Sequence, residues 1–192
     1  MTIQNRKYWL FLLFPLVTVV FLSCENNVKD LPSATKKKPV PEEGNQIESY
    51  LSEGAKVKGK LVAPYMLRYQ QADTPYVEFP RSLHVDFYND SMVIESKLDA
   101  LYGKYFQTQS KVFLRDSVVV KNILKGDTLH CRELWWDQNT QKFYTDKPVR
   151  IYTKDKILYG TGLEADQSFR WYTIKKISGS VLAPQNSLPK GN

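Results

Sequence analysis

The sequence predicts an all-β protein, an antiparallel sandwich, barrel or roll. Three observations carry this. From about Ala55 onward, Tyr, Phe, Trp, Val and Ile crowd into short runs, the residue types that suit a pleated, half-buried surface. Explicit turn sequences separate the runs: QADTP, YNDS, LKGD, DQNTQ and TKDK. Almost no ten-residue stretch repeats at the helical period. Closely spaced strands with turn signals between them describe antiparallel β architecture.

The elements follow in order. Arg6 and Lys7 precede an apolar run from Tyr8 to Leu22, fifteen residues with Pro15 in the middle. A basic start and a short hydrophobic stretch describe a secretory signal peptide, and a spanning helix wants about 20 apolar residues. The flank FLSC resembles the lipobox of bacterial lipoproteins, with Phe21 departing from the usual aliphatic residue. That resemblance implies cleavage after residue 23 and lipidation of Cys24; the alternative is an uncleaved membrane anchor. Both place the rest of the chain outside the cytoplasm. Residues 24–46 are polar, with Pro32, Pro39 and Pro41 and the basic patch KKK at 36–38. They read as a flexible tether. IESYLSEG (47–54) is a candidate short helix. Nine candidate strands follow: 59–70, 76–80, 83–89, 91–104, 105–122, 127–137, 142–153, 156–166 and 169–181. The β domain is expected over 47–183, with a tail at 184–192 in which Pro184 and Pro189 stop further pairing.

Composition bounds the rest. The chain carries a net charge of +7, and +5 without residues 1–23. That excess suits anionic partners but is spread out, and nucleic acid is a poor partner for an exported protein. With Cys24 lipidated, Cys131 has no disulfide partner and reads as a small buried hydrophobe.

Alternation assigns faces. In VFLRDSVVV, Leu114, Asp116, Val118 and Val120 share one side. In TLHCRELWWD, Leu129 and Cys131 share a side, and Leu134 and Trp136 rejoin it only if a bulge falls between Cys131 and Leu134. Ala63, Ala100 and Cys131, spaced 37 and 31 residues apart, follow an aliphatic residue two positions earlier. This is a weak rhythm of hairpin-sized units. Gly160 and Gly162 permit a strand bend or a close strand approach. Apolar faces of this kind are most often plain core.

Catalytic and metal constellations do not emerge. His84 and His130 are isolated, and no HxH, CxxC or HExxH spacing occurs. His130 and Cys131 are neighbours on a strand and point to opposite faces, so they form no dyad. There is no GxSxG and no phosphate-binding glycine loop. Asp166 reads as a strand end or turn cap. The expectation is no enzyme, no metal and no cofactor.

The order of VVVKN, GDTLHCRELWWD, YTDKPVRI, YGTGLEAD and YTIKKISGSV resembles the LptC family of lipopolysaccharide export. PYVEFPRSLHVDFYND and SKLDALYGKY resemble its first strands. The likeness spans roughly residues 55–181. His130-Cys131 stand where relatives often have a polar residue and Thr, and Asp116 stands where Gly is common. The resemblance implies an open V-shaped antiparallel β-jellyroll, or β-taco, whose apolar groove shields lipopolysaccharide acyl chains. It implies a place at the periplasmic face of the inner membrane, between an inner-membrane ABC transporter complex and a soluble periplasmic bridge protein of like fold. On that reading the groove is lined by Leu114, Val118, Val120, Leu129, Cys131, Leu134, Trp136, Val149, Ile151, Leu158 and Leu163. The edge of the last strand, through Tyr172, Ile174, Ile177 and Val181, accepts the bridge protein by β-augmentation, and a charge or proline at Ile174 or Ile177 weakens docking without unfolding the domain. The alternative is an envelope β-sandwich lipoprotein that binds glycan or protein through Tyr144, Tyr152 and Trp171.

Overall fold

The structure, a computed structural model, describes residues 40–182. The expected signal peptide, Cys24, most of the expected tether and the expected tail lie outside the described residues. Eleven strands form one antiparallel sheet: β1 (Glu42–Glu53), β2 (Lys56–Tyr69), β3 (Tyr76–Phe79), β4 (Leu83–Tyr88), β5 (Ile94–Ala100), β6 (Tyr102–Phe106), β7 (Lys111–Asn122), β8 (Thr128–Asp137), β9 (Lys142–Tyr152), β10 (Lys156–Asp166) and β11 (Tyr172–Leu182). The all-β jellyroll expected from the sequence is the fold observed.

The topology reduces to a meander of long runs, each bent once. β3 and β4 lie end to end against β2. β5 and β6 lie end to end against them, and β7 pairs β6 along its first half and β5 along its second. The bends share one line across the sheet. It runs through Pro64, the 80–82 corner, Leu101, Asp116–Ser117, Arg132, Asp146–Lys147 and Gly162, and the backbone N–H of Leu101 donates to the Asp116 carbonyl at 3.0 Å. Register shifts mark the line between β7 and β8, β8 and β9, and β9 and β10. The residues explain the bends. Ser82, Asp116, Ser117 and Gly162 all have positive φ, and extra residues in one strand of a pair bend it and steepen its twist. Thr145, buried beside the β9 bend, accepts a hydrogen bond from Lys147 N–H at 3.1 Å.

Folding along this line gives two arms that face each other. The first holds 56–63, β4, β5, 118–122, 128–131, 149–152, 156–160 and 177–182. The second holds 65–69, β3, β6, 111–115, 133–137, 142–145, 163–166 and 172–174. Small residues occupy the inside of the crease. Ala63, Ala100, Cys131 and Gly160 sit one or two positions before their bends, with Cys131 opposite Val118 and Val149, and Gly160 opposite Val149. This is the physical origin of the spacing rhythm in the sequence. Across the crease a β-carbon on Gly103 would lie 2.8 Å from Leu83 Cδ2, so a large residue on one arm meets a small one on the other.

Three sequence expectations are corrected. The segment 42–54 is neither tether nor helix: β1 begins at Glu42 and pairs β2 as far as Lys56. Ile47 and Leu51 are four apart, a spacing that serves a helix face and a strand face alike, and the pairing with β2 decides. The run 105–122 is two strands, because a 3-10 turn at Gln107–Gln109 and Ser110 at φ 52° reverse the chain; no Gly or Pro signals it. Asp116 does not share the buried face of Leu114 and Val118. Its bulge turns it outward, with a side chain about half exposed, and its φ of 61° lies in the left-handed region that favours glycine.

Candidate functional site

The interior between the arms is apolar and is built from both. Leu114, Val118, Val120, Leu129, Leu134, Ile151 and Leu163 are fully buried, Trp136 and Val149 nearly so, and Cys131 and Leu158 pack against the same cluster. All eleven residues expected to line a groove therefore meet in one interior. The condition on β8 is met as well. The register of β8 shifts between Cys131 and Glu133 against β7 and between Cys131 and Trp135 against β9, and Leu129, Cys131, Leu134 and Trp136 all turn inward. Phe87 of the first arm meets Trp136 and Phe143 of the second, with ring centres 5.0 and 5.9 Å apart and both contacts edge-to-face. Each such side chain removed from water contributes about 1.5–3 kcal/mol.

Other members of the interior were missed. Leu83, Val85 and Phe87 alternate with outward residues along β4, a period-2 signal readable in LHVDFY. Phe143 stands next to Tyr144 in the same way. Phe169 carries no such signal: it is a fully buried loop residue at φ 51°.

The interior is not filled evenly. Beneath β1 a cavity of about 360 Å³ remains, walled by Ile47, Leu51, Met66, Leu98, Leu114 and Trp136, with Arg68 and Gln107 among its polar residues. A more polar recess of about 370 Å³ adjoins it, edged by Lys58, Gln138, Asn139 and Gln141 and sharing Leu51 and Trp136. Trp136 Nε1 is buried with no hydrogen-bond partner among the described residues.

Burial pushes the Cys131 thiol up to about 12, which leaves it protonated and unreactive. His130 faces outward with its ring edge-to-face on Tyr152 at 5.0 Å; burial and then Arg150 push its pKa down. His84 sits on the outer face between Asp99 at 2.7 Å and Asp86 at 3.1 Å. The bond to Asp99, more than that to Asp86, raises its pKa. Among the described residues no group of three His, Cys, Asp or Glu side chains is placed to hold a metal ion. Asp166 caps a turn: its Oδ1 accepts from the N–H of Arg170 at 2.7 Å and of Trp171 at 3.1 Å.

β11 ends the sheet and pairs only with β10 among the described residues. Its four expected edge residues divide. Ile177 and Val181 are 68% and 56% exposed, whereas Tyr172 and Ile174 pack against the core. Ile174 is therefore part of the fold as well as of the edge, and a charge or proline there disturbs both. On the outer face, Trp135 lies in a stack with Phe106 and Tyr144, centroids 5.9 and 6.4 Å away. These rings cover one another, and of the aromatics considered for glycan binding only Trp171 is well exposed.

No curated protein matches the chain at a significant level. A family model described as lipopolysaccharide-assembly, LptC-related matches residues 13–177. With that match spanning most of the sequence, and with a bent antiparallel roll enclosing an apolar interior, the chain belongs to the LptC-related family of lipopolysaccharide transport.

Proposed function

We propose that the chain is a link in the lipopolysaccharide transport bridge. It receives the glycolipid from an inner-membrane ABC transporter complex, shields its acyl chains between the arms, and passes it to a soluble periplasmic protein of like fold. The carrying observation is the apolar interior shared by both arms, unfilled beneath β1. Each methylene left in water costs about 0.8 kcal/mol, so a lipid with several acyl chains needs a substitute solvent to cross an aqueous compartment. Apolar contacts supply one without fixing the lipid at any one rung, since they have no preferred direction. Energy for movement comes from the transporter. Lipidation at Cys24 anchors the chain at the periplasmic face of the inner membrane, and the free edge of β11 receives the bridge protein by strand addition.

The test is to isolate the full chain from its envelope and measure bound lipopolysaccharide by mass spectrometry, with and without depletion of cellular ATP. The expected result is lipid on the chain that falls away on depletion. A folded chain carrying none under either condition would overturn the proposal.

A further inference from the structure

The two arms touch through more than apolar side chains. The connection between β10 and β11, residues 167–171, belongs to the tip of the second arm, yet its polar contacts reach the tip of the first. Ser96 Oγ donates to the Gln167 carbonyl at 2.8 Å, and Asn122 Nδ2 donates to the Ser168 carbonyl at 2.8 Å. Ser168 Oγ donates to Glu95 Oε2 at 2.7 Å, and Lys125 Nζ donates to the Arg170 carbonyl. Phe169 is driven fully into the core between these bonds. Ser96, Asn122 and Ser168, three of the seven buried polar residues among those described, lie where the arms meet. Such groups are buried at a cost and hold one arrangement of their neighbours when every partner is present.

Resting on the transport reading above, the geometry points to this loop as a clasp that keeps the arms together until lipopolysaccharide is loaded. The argument is one of volume. The voids between the arms, about 360 Å³ beneath β1 and about 370 Å³ in the adjoining recess, are small beside a lipid with several acyl chains. A lipid with several chains needs the arms to part, and the clasp end is where specific bonds resist parting. Hydrogen bonds suit this task because water replaces them on opening, so each contributes little net stability, whereas buried apolar surface has no such substitute. The clasp is also joined to the docking edge. Phe169 stacks on Tyr172, the first residue of β11, at 5.0 Å and 15°, and Asp166 holds the N–H groups of both Arg170 and Trp171.

The test uses the full chain in native membrane vesicles containing the transport machinery, with lipopolysaccharide present and ATP added to start transfer. A photoreactive residue replaces Met66 on the cavity wall. Ser96→Ala and Ser168→Ala together remove two of the bonds between the arms, and neither hydroxyl has another partner among the described residues. Amide hydrogen exchange at 167–170 reports release of the clasp. The expected result is faster exchange there together with a roughly tenfold rise in the rate of lipid crosslinking. Faster exchange with an unchanged crosslinking rate would overturn the clasp, and so would exchange that does not change. Absence of crosslinking in both the unsubstituted and the substituted chain would instead overturn the transport reading on which the clasp depends.

Discussion

A β-carbon at Gly160 would lie 2.3 Å from Ile174 Cγ2 and 2.7 Å from the Lys176 carbonyl oxygen. The second neighbour is backbone, so β11 has to move. Gly160→Ala is expected to destabilise by about 1–3 kcal/mol, whereas Gly179→Ala, with open space around it, stays within about 0.5 kcal/mol; urea denaturation of the two variants checks the contrast. The titrations have signs of their own. Folding raises the Cys131 thiol from 9.0 to about 12, so the folded state keeps a proton that the unfolded state releases. Stability from this group is whole below pH 9 and declines as pH climbs toward 12. The stability gap between the native chain and Cys131→Val should shift against the native chain over that window. His84 is raised from 6.5 by Asp99 and Asp86, with Lys97 paired to Asp86 at 3.5 Å nearby. Its contribution is full below 6.5 and is lost as pH rises through the folded value. His84→Gln should therefore cost more near pH 6 than near pH 9, and an equal cost at both would count against the ion pairs seen on the outer face.

Among the elements, β11 carries the sharpest prediction. Ile177 is exposed and Ile174 is packed, although both stand on the terminal strand. Ile177→Lys is expected to leave the melting temperature within a few degrees and to abolish crosslinking to the bridge protein, since a lysine on an edge opposes strand addition. Retained crosslinking to the proposed bridge protein would count against docking at β11. Element by element, the strands were legible where polar and apolar residues alternate, as in β4 and β5. They were illegible where the chain bends. The β6–β7 reversal is made by Gln107–Gln109 and Ser110, residues with no turn preference strong enough to read. β1 is mostly exposed, and a strand with almost no buried face gives no period to detect; its pairing with β2 makes it.

For the molecule as a whole, the decisive feature is the line of bends that turns one sheet into two facing arms. Its traces in the sequence were the small residues Ala63, Ala100 and Cys131, the Gly160–Gly162 doublet, and a conditional bulge in β8. Each looked weak alone, because a crease is a property of neighbouring runs and not of any one of them. The shared inward face of the eleven residues expected to line a groove could be read because most of them alternate along long strands. Phe169 and the bonds around it could not, since they join residues more than forty positions apart. The central claim is that acyl chains travel on the inner face of this folded sheet. Phe143 and Tyr144 are adjacent in β9, the first fully buried inside and the second stacked on the outer face. Photocrosslinking in cells with the reactive residue at each position in turn tests the claim most directly. Lipopolysaccharide adducts at 143 and none at 144 are the predicted result. Equal adducts at both positions, or adducts at 144 alone, would contradict it.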